Sequence, residues 1–298
     1  MKDRQMGSSD LQISEIGIGC MSLGEDNAYN KKLLHRALDG GINFFDTADL
    51  YQKGFNETSV GSALKENRKQ VIIATKVGNE WTEDGSSWNW NPRKEYILAA
   101  IEKSLQRLQT DYIDLYQLHG GTIEDPIDEI IEAFERLQQQ GKIRYYGISS
   151  IRPNVIREYV KRSKISSVMM QYSLLDRRPE ESCLDLLFKH NISVLARGTL
   201  AKGLLIDKQP VSFLDYTDVD VRNTSAIIKS IGEKGNGAIA TALGYVLNHP
   251  AVASAITGIR TLEQVEAIIA ASKILLLEKE QIEILTHSIA LNYYNEHR

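Results

Sequence analysis

Eight short runs rich in β-branched and aromatic residues alternate with longer amphipathic runs along the whole chain, and no break in composition interrupts them. That alternation is the βα pattern of a parallel sheet. The predicted strands are Glu15–Cys20, Asn43–Asp46, Val71–Lys76, Ile113–His119, Tyr145–Ser149, Val168–Gln171, Ser193–Arg197 and Ser254–Gly258. Helical periodicity falls at Lys31–Gly40, Glu57–Glu66, Pro92–Leu108, Pro126–Gln140, Pro153–Arg162, Pro179–His190, Ala238–Leu247 and Leu262–Ser272. Four of these helices open on a proline, at the position where a missing N–H costs nothing. Eight βα units in 298 residues predict an α/β protein whose strands close into a (β/α)8 TIM barrel, one domain spanning residues 1–298.

Three segments lie outside the repeat. The opening RQMGSSDLQIS has a polar turn between two extended pieces, which predicts a β-hairpin able to plug the lower mouth of the barrel. Leu204 to Gly237 reads as a long irregular loop carrying a short helix near Ala226–Ile231, a length usually kept for function. Glu278–Ala290 reads as one extra C-terminal helix.

A net charge of −4 leaves no basic excess to neutralise a phosphate backbone or an acidic membrane surface. No run reaches the ~18 apolar residues of a membrane span, and the first residues lack the apolar core of a signal peptide. Cys20 and Cys183 are too few for a disulfide framework and lack metal-ligand spacing. The expectation is a soluble cytoplasmic protein with free thiols, no metal, and neither nucleic acid nor membrane as partner.

Barrel sites are built at the C-terminal ends of the strands and in the loops that follow. The second predicted strand ends in Asp46 and leads to Tyr51, the third ends in Lys76, and the fourth ends in His119. Each alone has an ordinary structural reading, but together they set a carboxylate, a phenol, an ammonium and an imidazole on one rim. An ammonium within reach of a phenol favours the phenolate. Asp46 would hold Lys76 in place and charged, while His119 donates a hydrogen bond to a carbonyl oxygen. Protonating a carbonyl oxygen is useful only if a nucleophile such as hydride reaches the carbon, and hydride requires a cofactor.

The runs GINFFDTADLYQKGFNE, VIIATKVG, SLQRLQTDYIDLYQLHGGTIEDPIDE, IRYYGISSIRP, MMQYSLLDRR and AITGIRTLEQV resemble, in order and spacing, the aldo-keto reductase superfamily, nearest its bacterial general-stress and potassium-channel β-subunit-like branch. The resemblance implies a barrel that binds NADPH in extended form. It implies a catalytic tetrad of Asp46, Tyr51, Lys76 and His119, with Tyr51 the general acid in reduction. Ser149, Ser150 and Gln171 match the positions that hold the nicotinamide carboxamide, with Ser150 standing in place of the usual asparagine. Gly198, Leu200, Lys202 and Gly203 match the segment over the pyrophosphate. Gly258, Arg260 and Gln264 match the 2′-phosphate and adenosine site, although Ile268 replaces an adenine-contacting asparagine. Arg197 replaces the aromatic residue that stacks on the nicotinamide ring; it would disfavour the cationic oxidised form, or else bond a carboxylate of the 204–237 loop.

Met21, after the first strand, is expected to line the pocket. Trp81, Trp88 and Trp90, all in one loop after Lys76, are expected at its mouth, which suits apolar or aromatic aldehydes. The function expected is NADPH-dependent reduction of aldehydes and ketones, by a monomer in the first place, with a dimer or octamer as the alternative. The alternative is a slow-turnover, redox-sensing NADPH-binding regulator of the channel β-subunit type, and a Schiff-base aldolase using Lys76 is a more distant third.

Overall fold

The computed structural model describes residues 1–298, the side chains at 234 and 236 aside. Twelve strands run in chain order: β1 (Asp3–Gln5), β2 (Gln12–Ser14), β3 (Ile16–Gly19), β4 (Phe44–Asp46), β5 (Ile72–Val77), β6 (Asn79–Trp81), β7 (Trp88–Trp90), β8 (Ile113–Leu118), β9 (Ile143–Ser149), β10 (Ser167–Gln171), β11 (Ser193–Arg197) and β12 (Val252–Gly258). Strands β3, β4, β5, β8, β9, β10, β11 and β12 pair in parallel and in that order, and β12 returns to β3 to close the barrel. This is the eight-stranded closed barrel the sequence predicts, each strand within a few residues of its expected span.

Helices ring the barrel: α1 (Asn27–Asp39), α2 (Phe55–Leu64), α3 (Lys94–Leu108), α4 (Ile127–Gln139), α5 (Pro153–Arg162), α6 (Cys183–Lys189), α7 (Asp218–Ile231), α8 (Gly237–Leu247), α9 (Leu262–Ala271) and α10 (Lys279–His287). Pro153 is the first residue of its helix, as expected. Pro179 instead sits in a separate 3-10 turn over Arg178–Glu181, so the continuous helix expected from Pro179 begins only at Cys183.

The 204–237 segment is more ordered than its polarity suggested. A capping box, in which Thr217 and Asp220 satisfy each other's backbone N–H groups, starts a 14-residue helix in place of the short one expected. Its buried stripe of Val221, Thr224, Ser225, Ile228 and Ile231 contains two polar residues, Thr224 and Ser225, which mask the apolar period in the sequence.

The β1–β2 hairpin closes the lower mouth. Met6, Leu11 and Ile13 are at most 2% exposed and pack in one cluster with Phe44, Leu115, Met169 and Leu195 from the barrel strands. That plug leaves only the opposite, C-terminal end of the strands open for a site. No helix among the described residues is long and apolar enough to cross a membrane.

Candidate active site

Asp46 is the last residue of β4, and Lys76 lies one residue before the end of β5. Tyr51 opens a 3-10 turn that continues through Gln52, Lys53 and Gly54, all three at positive φ (50°, 55° and 86°). That left-handed turn leads directly into α2, with Tyr51 lining the same cleft as Asp46. His119 follows β8, its backbone N–H bonded to Val77 O at 2.7 Å.

Lys76 is 1% exposed and Asp46 4%. The ammonium donates to Asp46 Oδ2 at 2.6 Å, to Thr47 O at 2.7 Å and to Tyr51 Oη at 3.3 Å. Three donors directed at three acceptors is an arrangement that only the protonated amine can make. Gln117 Nε2 donates to the other Asp46 oxygen at 3.3 Å. Burial by itself would lower the Lys76 pKa, but the Asp46 carboxylate and the Tyr51 hydroxyl reverse this and hold it above its ordinary value. Burial pushes the Asp46 carboxyl up, against the pull of Lys76 and Gln117.

The His119 imidazole lies edge-on to the Tyr51 ring, 5.7 Å between centroids at 83°. Burial, then Lys76 and Arg197, lower its pKa to about 3. A histidine so shifted is neutral throughout the physiological range, and its Nδ1 is buried without a protein partner. The sequence-predicted four are thus brought together, with the paired charges on the floor and the phenol and neutral imidazole above them.

Asp49, two residues before Tyr51, escaped the sequence reading. Its carboxyl is 8% exposed, and Oδ1 has no hydrogen-bond partner. Burial, then the neighbouring Glu57 carboxylate, push its pKa well up, against Arg107, the Leu50 N–H and Lys76. A carboxyl raised in this way carries a proton in the fold that the unfolded chain releases above its ordinary pKa, so stability is lost as pH rises from there towards the folded value. Asp49→Asn, which keeps an acceptor and cannot ionise, is expected to raise Tm by about 2–4 °C at pH 8 and by less at pH 5. Thermal melts followed by circular dichroism check this; a Tm lowered equally at both pH values contradicts it.

A cleft of about 990 Å³ opens above the floor. Met21, Ser149, Ser150, Gln171, Arg197, Gly198, Lys202 and Gly258 all line it. Ser150 Oγ accepts the Arg152 N–H at 3.2 Å at the start of α5, which leaves its O–H donor free. Arg197 Nη1 donates to Gln171 Oε1 at 2.9 Å. These residues are register partners at the ends of β10 and β11, and no ion pair of Arg197 with the 204–237 segment is found among the described residues. Leu200, Gly203, Arg260 and Gln264 are not among the residues lining the cleft: Leu200 and Gly203 flank Lys202 at the turn Ala201–Gly203, and Arg260 and Gln264 are exposed, joined by Arg260 N–H to Gln264 Oε1 at 2.7 Å. Ile268 is 3% exposed and packs in the core.

The tryptophans separate. Trp90 lines the cleft, its Nε1 donating to Asp125 Oδ1 at 3.0 Å. Trp81 and Trp88 pair on the β6–β7 hairpin, rings 5.4 Å apart and nearly perpendicular, and neither lines the cleft. The reason is the antiparallel pairing of that loop around Asp84–Gly85, which makes Trp81 and Trp88 register partners and sets their rings edge to face. Other lining residues not singled out from the sequence are Leu50, Ile151, Arg152, Phe213 and Leu214. Among the described residues no cluster of His, Cys, Asp and Glu could hold a metal ion.

A closed barrel with this buried ion pair and phenol at its open end defines a class, and comparison with known proteins identifies it. Residues 15–290 match the aldo/keto reductase family, and the chain belongs to it. It is 50% identical to an uncharacterized oxidoreductase, YqkF, of Bacillus subtilis (strain 168), over the whole of both chains. It is similar to the aldo-keto reductase AKR11C1 of Bacillus halodurans in its holo form, at 48% identity and TM-score 0.95, covering 100% of this chain and 99% of that one. The apo form of that enzyme matches at TM-score 0.86 and 47% identity, with the same coverage. The NADH-specific methylglyoxal reductase of Escherichia coli (strain K12) is 34% identical over 69% of each chain.

Proposed function

We propose that this chain is a reductase of aldehydes and ketones that uses NADPH, built as one monomeric barrel domain. The observation that carries the reading is the buried Asp46–Lys76 pair with Lys76 donating to Tyr51 Oη at the floor of the cleft. Bound NADPH supplies the hydride that a carbonyl carbon needs. Tyr51 gives its proton to the carbonyl oxygen as charge builds there, and the Lys76 ammonium, 3.3 Å from Oη, stabilises the phenolate left behind. Asp46 keeps Lys76 charged and in place, which also argues against an aldolase, since an amine nucleophile needs a depressed pKa. His119, neutral with a pKa of about 3, can orient the carbonyl oxygen by donating one hydrogen bond and contributes no charge change near neutral pH.

The residues present fit an extended dinucleotide. Gly198, at φ +67°, and Gly258, where a Cβ would come within 2.6 Å of Ser22 Oγ, leave backbone open on the cleft wall. Ser149 and the Gln171 amide would hold the carboxamide, with Ser150 contributing less because a hydroxyl has a shorter reach and fewer donors than an amide. Gly198, Leu200, Lys202 and Gly203 would take the diphosphate. Arg260, with the planar fork suited to phosphate, favours a 2′-phosphate and therefore NADPH over NADH; Gln264 and Gly258 complete that end.

Arg197, held by Gln171, places a cation where the family has an aromatic ring. It is expected to weaken binding of the cationic oxidised nicotinamide relative to the neutral reduced form. Titrating NADPH and NADP⁺ into wild type and Arg197→Tyr is expected to show a Kd(NADP⁺)/Kd(NADPH) ratio about tenfold larger in wild type, about 1.4 kcal/mol of discrimination; equal ratios contradict it.

The overall reading is tested by following oxidation of NADPH and, in parallel, NADH with a panel of small aldehydes. Fast loss of NADPH and slow loss of NADH are expected. Tight NADPH binding with almost no turnover would instead favour a redox-sensing regulator, and faster use of NADH would remove the role given to Arg260.

A further inference from the structure

The cleft lining is of two unlike kinds. Ser149, Gln171, Arg197, Lys202 and Gly258, the residues assigned above to the cofactor, lie on or after β9 to β12. Among the other lining residues, from the segments after β3, β9 and β11 and the end of β7, are apolar side chains open to solvent: Met21 is 64% exposed, Leu214 46% and Ile151 38%, and Trp90 lines the cleft with them. Apolar side chains exposed together on one concave face suit the body of an apolar substrate.

One charged side chain stands in that wall. Arg152 follows β9 beside Ile151, and its Nη1 donates to Gly121 O at 2.5 Å. No other hydrogen bond of its guanidinium and no ion pair to it is found among the described residues, so the remaining N–H donors have no protein acceptor. Asp46, the only carboxylate lining the cleft among the described residues, is already paired with Lys76, and the Asp125 carboxylate behind the wall is engaged by Trp90 Nε1 at 3.0 Å and the Thr122 N–H at 2.7 Å. Arg152, Arg197 and Lys202 therefore leave the cleft electropositive in a chain of net charge −4. Such a concave cationic wall attracts anions from solution. Phosphates of a cofactor account for Lys202 and ring recognition for Arg197, which leaves Arg152 without a counterpart.

Resting on the reductase reading, we propose that Arg152 is a specificity-determining residue, and that the preferred substrates are carbonyl compounds with an apolar body and a carboxylate at the end remote from the carbonyl. The apolar body lies along Met21, Trp90, Ile151 and Leu214. The carboxylate takes the free edge of the guanidinium, whose planar fork matches two carboxylate oxygens. Gly121 O, bonded to the other edge, fixes the fork in place.

The test compares 4-carboxybenzaldehyde with its methyl ester, which keeps the ring and its size but not the charge. With NADPH and wild-type enzyme, kcat/KM is expected to favour the acid by about tenfold, chiefly through KM, because the carboxylate is remote from the reacting carbon. The preference is expected to shrink with added salt. In Arg152→Gln, which retains a donor for Gly121 O, the acid-to-ester ratio is expected to fall to about two or less, and Arg152→Lys to recover part of it. A wild-type ratio near one, or a ratio unchanged in Arg152→Gln, overturns the proposal while leaving the reductase reading standing. If neither aldehyde consumes NADPH, that reading fails, and calorimetric titration with 4-(hydroxymethyl)benzoate and its methyl ester decides the role of Arg152. Tighter binding of the acid in wild type alone supports it; equal binding overturns it.

Discussion

Tyr51→Phe is expected to lower kcat for aldehyde reduction by about 10²–10⁴-fold, the usual contribution of a positioned general acid, while NADPH still binds. The hydroxyl is the only part removed, and it accepts the Lys76 N–H at 3.3 Å beside the neutral His119. A loss in kcat and kcat/KM together marks an interaction made in the transition state. Stopped-flow reduction and fluorescence titration of NADPH separate chemistry from binding. Retention of most activity would remove Tyr51 from the mechanism.

Lys76→Met is expected to destabilise the fold as well as abolish turnover. It leaves Asp46, 4% exposed, with a carboxylate whose principal counter-charge is gone and only Gln117 beside it. Breaking one half of a buried ion pair typically costs about 3–5 kcal/mol, or roughly 5–8 °C in Tm at this chain length. The double variant Asp46→Leu, Lys76→Met removes both charges and is expected to regain most of that stability without regaining activity. Such a result assigns the pair to chemistry, because a hydrophobic replacement would serve the fold equally well. Thermal melts of the two variants make the comparison; a double variant no more stable than the single one contradicts it.

The barrel was legible because its strands are short, nearly continuous apolar runs bounded by turns, and the tetrad because four ionisable residue types recur where strands end. Loop placement was less legible. Trp81, Trp88 and Trp90 share one polar loop, yet only the register of the β6–β7 hairpin decides that Trp90 alone turns into the cleft. The Asp84–Gly85 pair in that loop is a hairpin signal that marks the turn in retrospect. The start of α7 at Asp218 was hidden by its polar first turn, although the Thr217–Asp220 spacing carries the capping signature. Arg197 was visible as a cation out of place. Its partner Gln171 belongs to another strand, and only the β10–β11 register sets the two side by side. Arg152 and Asp49 carry no local motif; a guanidinium without a carboxylate and a carboxyl without a donor appear only once the surrounding elements are packed.

The most direct measurement of the central claim is the fate of the hydride. NADPH carrying deuterium at one or the other face of nicotinamide C4 is incubated with the enzyme and an aromatic aldehyde, and the alcohol is analysed by mass spectrometry and NMR. The account predicts one deuterium on the carbinol carbon from a single cofactor face, with transfer lost in Tyr51→Phe. An alcohol without deuterium from both labelled cofactors, or no alcohol despite saturating NADPH, would contradict it.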